Sequence, residues 1–328
     1  MSDVGATRPE ADGAGTHPPR IGDSSPELRE RAALVALLRH RRARWSEAAH
    51  EVLEAGSALD VLRQRLRVDE GLFPETDPVE HALAEAADEL RAWTAEGIAV
   101  QAFFDADYPA HLRDIHQMPP LLFTQGNLGD DSRAIAVVGT RQATEQGLET
   151  AAAVASELAS AGVTVVSGLA RGIDAAAHEA ALAVGGRTVA VIGTGIRRFY
   201  PAENRALQAR IANEGLVISQ FWPDAPPAKH SFLMRNAVMS GYAAATLVVE
   251  APWRSGARSQ ARLALEHGRP VILPVDMLVH DWARDFARRA GVHVVHGAKE
   301  LLDVANELIR EANISPDALP EGPRLAWT

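Results

Sequence analysis

Short apolar runs alternate with longer stretches of helical spacing from Arg133 onward. A helical stretch follows each of the first four runs, AIAVVG, VTVVSG, TVAVIG and TLVVEA. Two further apolar runs, PVILP and VHVVHG, come later in the chain. Strands that alternate with helices at this spacing are typical of right-handed βαβ units in a parallel sheet. The pattern therefore predicts an α/β fold with an extended, Rossmann-like, doubly wound and mostly parallel sheet over residues 133–305.

The part of the chain before this region has a helical pattern. Three segments with apolar residues at helical spacing predict short helices: PELRERAALVALLRHRR, SEAAHEVLEAG and SALDVLRQRL. We interpret residues 26–75 as a small all-α, SAM-like module. A further helix over PVEHALAEAADELRAWTAEG, with Pro78 near its start and Gly97 after its end, opens a linker and an extended lead-in over residues 76–132.

Amino-acid composition predicts tails at the two ends of the chain and indicates the cellular compartment of the protein. Residues 1–25 are rich in Gly, Pro, Ser and charge and lack the apolar segment of a secretory signal, so we expect a disordered tail there. Residues 306–328 are expected to form a C-terminal tail. The chain has no cysteine and no apolar run of about 20 residues, which favours a cytoplasmic protein with no membrane partner.

The net charge of −10 is unevenly distributed, and its distribution says more about partners than its sum. Between Arg133 and Ile272 there are 14 Lys and Arg against 10 Asp and Glu, so the acidic excess lies in the flanking regions. The only lysines in the sequence are Lys229 and Lys299. An anion site would therefore consist mainly of arginine, whose planar guanidinium suits phosphate.

Glycines and cations follow three of the predicted strands, in AVVGTRQAT, VVSGLARGID and AVIGTGIRRFYPAEN. The first two strand ends carry Gly139, Thr140, Arg141, Ser167, Gly168 and Arg171. Glycine lets the backbone bend or approach a ligand, and we expect Gly168 and Gly172 to bend the chain. A helix N-terminus just beyond offers free N–H groups to an anion. These loops predict an anion-binding crevice with Arg141 and Arg171 in contact with the ligand.

Two further features allow more than one interpretation. Asp174 and His178 lie four residues apart on one helix face, where we expect a hydrogen bond between them, with a catalytic pair as the alternative. PDAPPAKHSFLMRN interleaves cations with aromatic residues, a combination that suits the phosphates and bases of single-stranded nucleic acid. Its candidate contacts are Lys229, Phe232, Arg235 and Asn236. A core position is the alternative for Phe232.

Motifs of several enzyme classes are missing from the sequence. GTRQAT lacks the second and third glycines of the dinucleotide-binding G-x-G-x-x-G, and no Walker sequence occurs. Neither H-E-x-x-H nor G-x-S-x-G is present, and the 12 histidines do not gather at metal-ligand spacing. We therefore predict no catalytic residue, no metal and no cofactor.

The order of the motifs resembles that of the DprA/Smf family of DNA-processing proteins. The match covers about residues 95–275 through DADYPAHLRDIHQMPPLLFTQGNL, IAVVGTRQATEQG, GVTVVSGLARGIDAAAHEAAL, GGRTVAVIGTGIRRFYPAEN, GLVISQF, FLMRN, TLVVEAPWRSGA and ALEHGRPVILP. The resemblance implies a homodimer with an extended Rossmann fold that binds single-stranded DNA without cutting it. It also implies that the protein loads the recombinase RecA onto single strands in transformation or recombination. The DNA pocket that it implies comprises Gly139, Thr140, Arg141, Ser167, Gly168, Arg171, Lys229, Phe232, Arg235 and Asn236.

The sequence departs from the family pattern at several positions. Leu233 stands where a proline is common, Ala237 where a second arginine is usual, and Val275 where a glycine is expected. The sequence ARSQ follows Ser255–Gly256, and we expect Arg258 to restore the charge that Ala237 lacks. HDWARDFARRAG replaces a segment with glycine and asparagine. We therefore expect a divergent member of the family with an altered pocket and without the C-terminal winged-helix module.

Two other functions stay open on the sequence alone. Glycine-rich loops of this kind also resemble those of Rossmann-like phosphoribohydrolases, which suggests a nucleotide sensor or a nucleotide-cleaving enzyme. The P-G-G-x-G-T-x-x-E segment of those enzymes is missing, and Glu203 and Glu250 are the remaining conceivable acids. The third interpretation is an adaptor that binds only protein partners.

Overall fold

A mixed nine-stranded sheet lies at the centre of the part of the chain that the computed structural model describes, residues 25–40, 45–68, 77–253 and 255–313. Its strands in chain order are β1 (Ala99–Ala102), β2 (Leu121–Gly126), β3 (Ala134–Gly139), β4 (Thr164–Ser167), β5 (Thr188–Val191), β6 (Leu216–Ser219), β7 (Ala245–Glu250), β8 (Val271–Pro274) and β9 (Val292–Val295). Their order in the sheet is β1-β2-β6-β5-β4-β3-β7-β8-β9.

The strands from β3 to β9 are parallel to their neighbours in that group, whereas β1 and β2 form an antiparallel pair and β2 is antiparallel to β6. The chain winds outward from β3 to β6, returns to β7 beside β3, and continues to β9. The predicted α/β class, with a doubly wound and mostly parallel sheet, is confirmed. The antiparallel pair and β6 extend the sheet beyond the strands that the apolar runs predict.

Helices cover both faces of the sheet. Their bounds are α1 (Pro26–Arg39), α2 (Trp45–Ala55), α3 (Ala58–Val68), α4 (Pro78–Ala95), α5 (Ala110–Arg113), α6 (Glu145–Ser160), α7 (Ile173–Ala183), α8 (Arg205–Glu214), α9 (Lys229–Tyr242), α10 (Gly256–Glu266), α11 (Asp281–Phe286) and α12 (Ala298–Ala312). On one face α12, α6, α7 and α8 pack side by side, and α9 and α10 lie on the other face together with α1 to α4.

The burial of β3 on both faces explains why the strands are continuous apolar runs in the sequence. Ile135 and Val137 contribute to the core with α6, α7 and α12, whereas Ala134, Ala136 and Val138 contribute to the core on the other face. Successive side chains of a strand point to opposite faces, so a strand covered on both sides needs apolar residues at every position.

The N-terminal helices share a core with the sheet. Trp45 of α2 and Trp222 after β6 make an edge contact, with ring centroids 5.0 Å apart. Trp93 of α4 contacts Phe123 of β2 in the same way at 5.2 Å, and the Arg39 guanidinium lies 3.9 Å from the Trp222 centroid. Helices form where the pattern of residues 26–75 predicts them, and their packing is continuous with one face of the sheet.

The C-terminal part of the fold extends further than expected. The predicted tail does not begin at residue 306, because α12 continues to Ala312 and packs Leu301, Ala305 and Leu308 against the sheet. The predicted N-terminal tail, apart from Ser25, which caps α1, lies outside the described residues, as do residues 314–328. None of the helices in the described ranges is long and apolar enough to cross a membrane.

Candidate functional site

The carboxyl ends of β3, β4 and β5 lie at one edge of the sheet, beside the start of α9. These strands are parallel neighbours, so the loops that follow them emerge on the same side. The first turn of α9 lies there too, because α9 leads into β7, which is parallel to β3. Doubly wound sheets bind ligands at this edge, in the crevice where the winding reverses. All ten predicted DNA contacts lie at these strand ends or on the first turns of α9.

One helix N-terminus at this edge is occupied by a carboxylate of the chain itself. Glu250 at the end of β7 accepts hydrogen bonds from the backbone N–H of Thr144 at 3.1 Å and from its hydroxyl at 2.9 Å, at the start of α6. Asp174 in the first turn of α7 accepts a hydrogen bond from the Ala170 N–H at 3.4 Å, a group of the loop that precedes this helix. The helix dipole favours anions at such positions. The N-terminus of α6 is therefore not free for a phosphate, whereas α7 and α9 begin without a side-chain cap.

Arg235 is buried beneath the loop after β4, with 5% of its surface exposed. Its Nη1 lies 3.3 Å from the Val191 carbonyl oxygen and 3.8 Å from Asp174 Oδ2. The guanidinium fills the space that a side chain at Gly168 would need, since a Cβ there would fall 1.1 Å from Nη1. Burial lowers the pKa of Arg235 and raises that of Asp174, and the attraction between them opposes both shifts. Arg235 thus joins α9 to the loop instead of facing solvent.

Three other predicted contacts are also buried, and two of them support the loops. The Ser167 hydroxyl is fully buried and donates to the Val137 carbonyl oxygen at 2.6 Å, which ties β4 to β3. Thr140 is buried, and its hydroxyl accepts a hydrogen bond from the Gln142 N–H at 3.2 Å. Asn236 is buried on α9. These side chains are largely withdrawn from the solvent that a bound strand would replace.

The glycines at the strand ends leave space for neighbouring side chains and also allow the backbone to turn. A Cβ at Gly139 would fall 2.3 Å from the Ile173 side chain, so this glycine lets α7 pack closely against β3. The bend after β4 uses left-handed backbone at Leu169, with φ of 54°, and at Gly172, with φ of 73°. The expected bend at Gly168 is therefore wrong in detail, because that glycine serves to accommodate a side chain.

The predicted hydrogen bond between Asp174 and His178 is wrong. His178 is fully buried, and its Nδ1 lies 2.7 Å from Thr188 Oγ1. Because the Thr188 hydroxyl donates to the Val165 carbonyl oxygen, Nδ1–H is the donor in the contact with Thr188. Burial lowers the pKa of His178 to about 3, and the charge of Arg235 acts in the same direction. His178 is a neutral core residue at neutral pH.

Cations and aromatic rings remain accessible along this edge. The Arg141 guanidinium lies 5.2 Å from the ring centroid of Phe232, and the Tyr200 ring lies 5.4 Å from the same centroid. Phe232 is half-buried against Gly193, and Lys229 is exposed about one turn earlier on α9. We call Arg141, Tyr200, Lys229 and Phe232 the cation–aromatic rim. Its charges and rings face the solvent side of the crevice.

Arg171 forms an ion pair with Glu203 next to the rim. Its Nη2 donates to Oε2 at 2.6 Å, and its Nε also contacts Oε1. The two side chains are 61% and 50% exposed, so the pair contributes only about 0–1 kcal/mol and can exchange for another anion.

Three residues from the end of β5 to the start of α8 make cation–aromatic or aromatic contacts at this edge, and sequence reasoning did not single them out. The Arg205 guanidinium lies 4.7 Å from the ring centroid of Phe199, and Tyr200 contacts Phe232. All three omitted residues, Phe199, Tyr200 and Arg205, follow the glycine-rich turn of AVIGTGIRRFYPAEN. The aromatic pair directly after two arginines is the signal that could have identified them, since stacking rings beside cations suit nucleic acid.

The fold and the rim define an α/β protein whose doubly wound sheet presents cations and aromatic rings at its carboxyl edge. A family model described as DNA recombination-mediator protein A matches residues 99–312. The chain belongs to this family, whose members carry the names DprA and Smf.

Curated relatives match this chain over part of their length. Protein Smf of Synechocystis is 36% identical over 218 residues, which cover 65% of this chain and 53% of that protein. DNA processing protein DprA of Streptococcus pneumoniae is 43% identical over 171 residues, which cover 52% of this chain and 60% of that protein. The chain thus spans roughly half to three fifths of the length of these relatives.

Solved structures agree with the fold. The X-ray structure of DprA from Streptococcus pneumoniae aligns with a TM-score of 0.61 at 31% identity and covers 84% of this chain and 95% of its own. DNA processing protein A from Helicobacter pylori, studied for its single-stranded DNA binding, aligns with a TM-score of 0.57 at 26% identity. That alignment covers 65% of this chain and 96% of the neighbour.

Proposed function

We propose that the chain binds single-stranded DNA across the carboxyl edge of its sheet, without cutting it, and delivers that strand to RecA. The contact that carries the proposal is the Arg141 guanidinium beside the Phe232 ring, 5.2 Å from its centroid. A guanidinium next to an accessible ring can hold a phosphate while an unstacked base lies on the aromatic face. Single-stranded DNA binding by the Helicobacter relative and the description of the family as a recombination mediator support this function.

The rim supplies few charges, and each is accessible. Arg141 and Lys229 form no ion pair with another described residue, and Arg171 can exchange Glu203 for a phosphate. Roughly three phosphate contacts give a slope of about −2 for log affinity against log salt, at about −0.7 per contact for single strands. Sequence preference should be slight, because stacking accepts any base.

RecA and a second copy of this chain are the proposed partners. Both follow from family membership, and the description of the family as a recombination mediator supports the first. We expect the protein to sediment as a homodimer. We also expect it to speed RecA assembly on single-stranded DNA that a competing binding protein covers.

Nucleotide cleavage is not favoured by the carboxylates that could perform it. Glu250 accepts hydrogen bonds from Thr144 at the start of α6, and Glu203 is held by Arg171. The Glu250 carboxylate is fixed by donors of the chain, whereas Glu203 lies in an exposed ion pair that can exchange. Glu250, the conceivable acid at a strand end, is therefore not free to reach a substrate as general acid or base chemistry requires, so the strand ends support binding better than catalysis.

Replacing the rim arginine tests the proposed function. Arg141→Gln should weaken the binding of a fluorescent oligothymidine about tenfold, because one charged phosphate contact is lost. It should also reduce the salt slope by about 0.7. Arg133→Gln is the matched control, because Arg133 is an exposed arginine at the opposite end of β3, where it donates to Asn306. Fluorescence anisotropy at several salt concentrations measures both variants.

Two results would contradict this function. One is wild-type affinity that does not respond to salt, and the other is wild-type affinity in Arg141→Gln. Release of free base from nucleoside monophosphates, assayed in parallel, would support the nucleotide-cleaving alternative instead.

A further inference from the structure

A second group of cations and aromatic rings lies between α10 and α11, outside the rim. It forms a groove of about 340 Å³. The side chains that give it its character are Trp253, Arg258, Arg262, Trp282, Phe286 and Arg289. We call it the Trp253 groove. It directly follows β7, as the rim follows β3, β4 and β5.

Trp253 is the most accessible ring of the groove, with 59% of its surface exposed. The Arg258 Cζ lies 3.9 Å from its ring centroid, and Arg258 Nη1 donates to the Trp253 carbonyl oxygen at 3.2 Å. These two contacts hold the guanidinium on the indole. The exposed remainder of the ring offers a stacking surface next to a positive charge, a combination that binds unpaired bases and their phosphates.

The groove has more accessible positive than negative charge. Arg258 and Arg289 form no ion pair with a described residue, and the Arg289 guanidinium lies 4.7 Å from the Phe286 centroid. Two other charged residues in the described lining of the groove are paired, Arg262 with Glu266 and Asp285 with Arg288. Two guanidiniums, each beside an aromatic ring, are therefore available to phosphates.

The far wall of the groove is fixed to the sheet. The Trp282 indole is buried, and its Nε1–H donates to the Ala251 carbonyl oxygen at 2.8 Å, one residue after β7. Trp282 also packs against Phe286, with ring centroids 6.0 Å apart. These contacts anchor α11 opposite α10, so the groove exists before any ligand binds.

The groove and the rim lie on the two sides of the crevice where the winding of the sheet reverses. The Thr140 N–H donates to the Glu250 carbonyl oxygen at 2.7 Å, which joins the loop after β3 to the end of β7. The ends of β5, β4, β3 and β7 are consecutive, and at about 4.8 Å per strand they span about 14 Å. A short single strand can therefore extend from the rim to the groove.

We infer that the Trp253 groove binds a second stretch of the same single strand, with a base on Trp253 and phosphates at Arg258 and Arg289. The inference rests on the proposed function, because it extends a path that begins at the rim. Arg258 lies in ARSQ and Arg289 in HDWARDFARRAG, the two segments in which the sequence departs from the family pattern. The groove therefore adds to the pocket that the family pattern implies.

Oligothymidines of two lengths separate the groove from the rim, one of about 5 and one of about 15 nucleotides. Trp253→Ala should weaken binding of the longer strand about tenfold, because a stacked base is lost, and leave the affinity for the shorter strand within about twofold. Trp253→Phe should retain most of the affinity. Arg258→Gln and Arg289→Gln should each reduce the salt slope for the longer strand by about 0.7.

Two control variants match these changes. Leu53→Ala removes a similarly exposed apolar side chain from α2, and Arg310→Gln removes an exposed arginine from α12 on the other face of the sheet. Neither should alter binding of either strand. Thermal unfolding of each variant shows whether the fold is retained.

The outcomes distinguish this inference from the function on which it rests. If the wild-type protein binds neither strand, the proposed function fails and the groove has no ligand to extend. If it binds both strands and Trp253→Ala binds both equally well, the inference alone fails, which is also the result expected if the groove serves an acidic protein partner. An equal loss for both lengths in Trp253→Ala overturns the inference too, because the groove then acts only through the fold.

Discussion

Arg141 and Arg235 lie close enough for the charge of one to lower the pKa of the other, yet their environments are opposite. Arg141 is exposed beside Phe232, in the loop after β3. Arg235 is buried under the next loop, where it faces Asp174 and the Val191 carbonyl oxygen. The exposed region presents charge to the solvent, and the buried region holds the strand-end loops in position.

Arginine therefore serves two purposes at the same edge of the sheet. A guanidinium removed from water needs compensating charge and hydrogen bonds, so Arg235 is bound to its surroundings. An exposed guanidinium keeps its hydration and exchanges it for a phosphate at low cost. Substitution of either arginine should weaken DNA binding, but one variant should lose stability and the other only a contact.

Arg235→Met is expected to have the largest effect. It should lower the free energy of unfolding by about 3–5 kcal/mol, because the buried Asp174 carboxylate loses its opposite charge. Arg141→Met should change that free energy by less than about 0.5 kcal/mol, because the side chain is exposed. Urea unfolding followed by circular dichroism measures both variants. Equal stability of the two variants would show that Arg235 does not support the fold.

The double variant Arg235→Met with Asp174→Asn identifies the source of that loss. If the loss arises from an unpaired buried charge, removal of the Asp174 charge should recover about 1–3 kcal/mol, so the two effects are not additive. Additive losses would show that Arg235 acts through packing alone.

Local sequence predicts the parallel strands because each is an apolar run buried on both faces. The run AIAVVG corresponds to β3, and TLVVEA begins at the second residue of β7. The strand β1 contains four residues, and β1 and β2 are joined by antiparallel pairing at the end of the sheet. Such pairing depends on which segments meet in three dimensions, and no short pattern in the sequence specifies it.

Local sequence is less informative about the site, because it does not separate buried cations from exposed ones. It directs attention to the strand-end loops, where Arg141 is exposed. It does not show that the missing Cβ of Gly168 makes room for Arg235. The expected Asp174–His178 hydrogen bond fails for the same reason, since Asp174 faces Arg235 and His178 has a tertiary partner on β5.

His178→Gln examines the buried region by its response to pH. With a pKa of about 3 in the folded protein, His178 stays neutral, whereas in the unfolded chain it takes up a proton below about pH 6.5. The unfolded state therefore binds more protons in this window, and the wild-type protein loses stability as the pH falls from about 6.5 toward 3. The loss approaches about 1.4 kcal/mol per pH unit, and the variant lacks this contribution.

The comparison between wild type and His178→Gln isolates this contribution. Burial raises the pKa of Asp174, which favours the folded state as the pH falls, but this acts in both proteins. Urea unfolding at about pH 7, 6 and 5 should show a stability difference that shrinks toward low pH or reverses. A difference that stays constant would mean that His178 titrates alike in the folded and unfolded states.

Glu203→Gln tests the exposed region and has the smallest expected effect. The Arg171–Glu203 pair is solvent-exposed and contributes about 0–1 kcal/mol, so its loss should change the stability little. Release of Arg171 should strengthen oligothymidine binding about two- to fivefold, because Arg171 no longer exchanges Glu203 for a phosphate, and should leave the salt slope near the wild-type value. Glu307→Gln removes a similarly exposed carboxylate from α12 and controls for net charge. Equal gains in both variants would show that total charge, and not Arg171, sets the affinity.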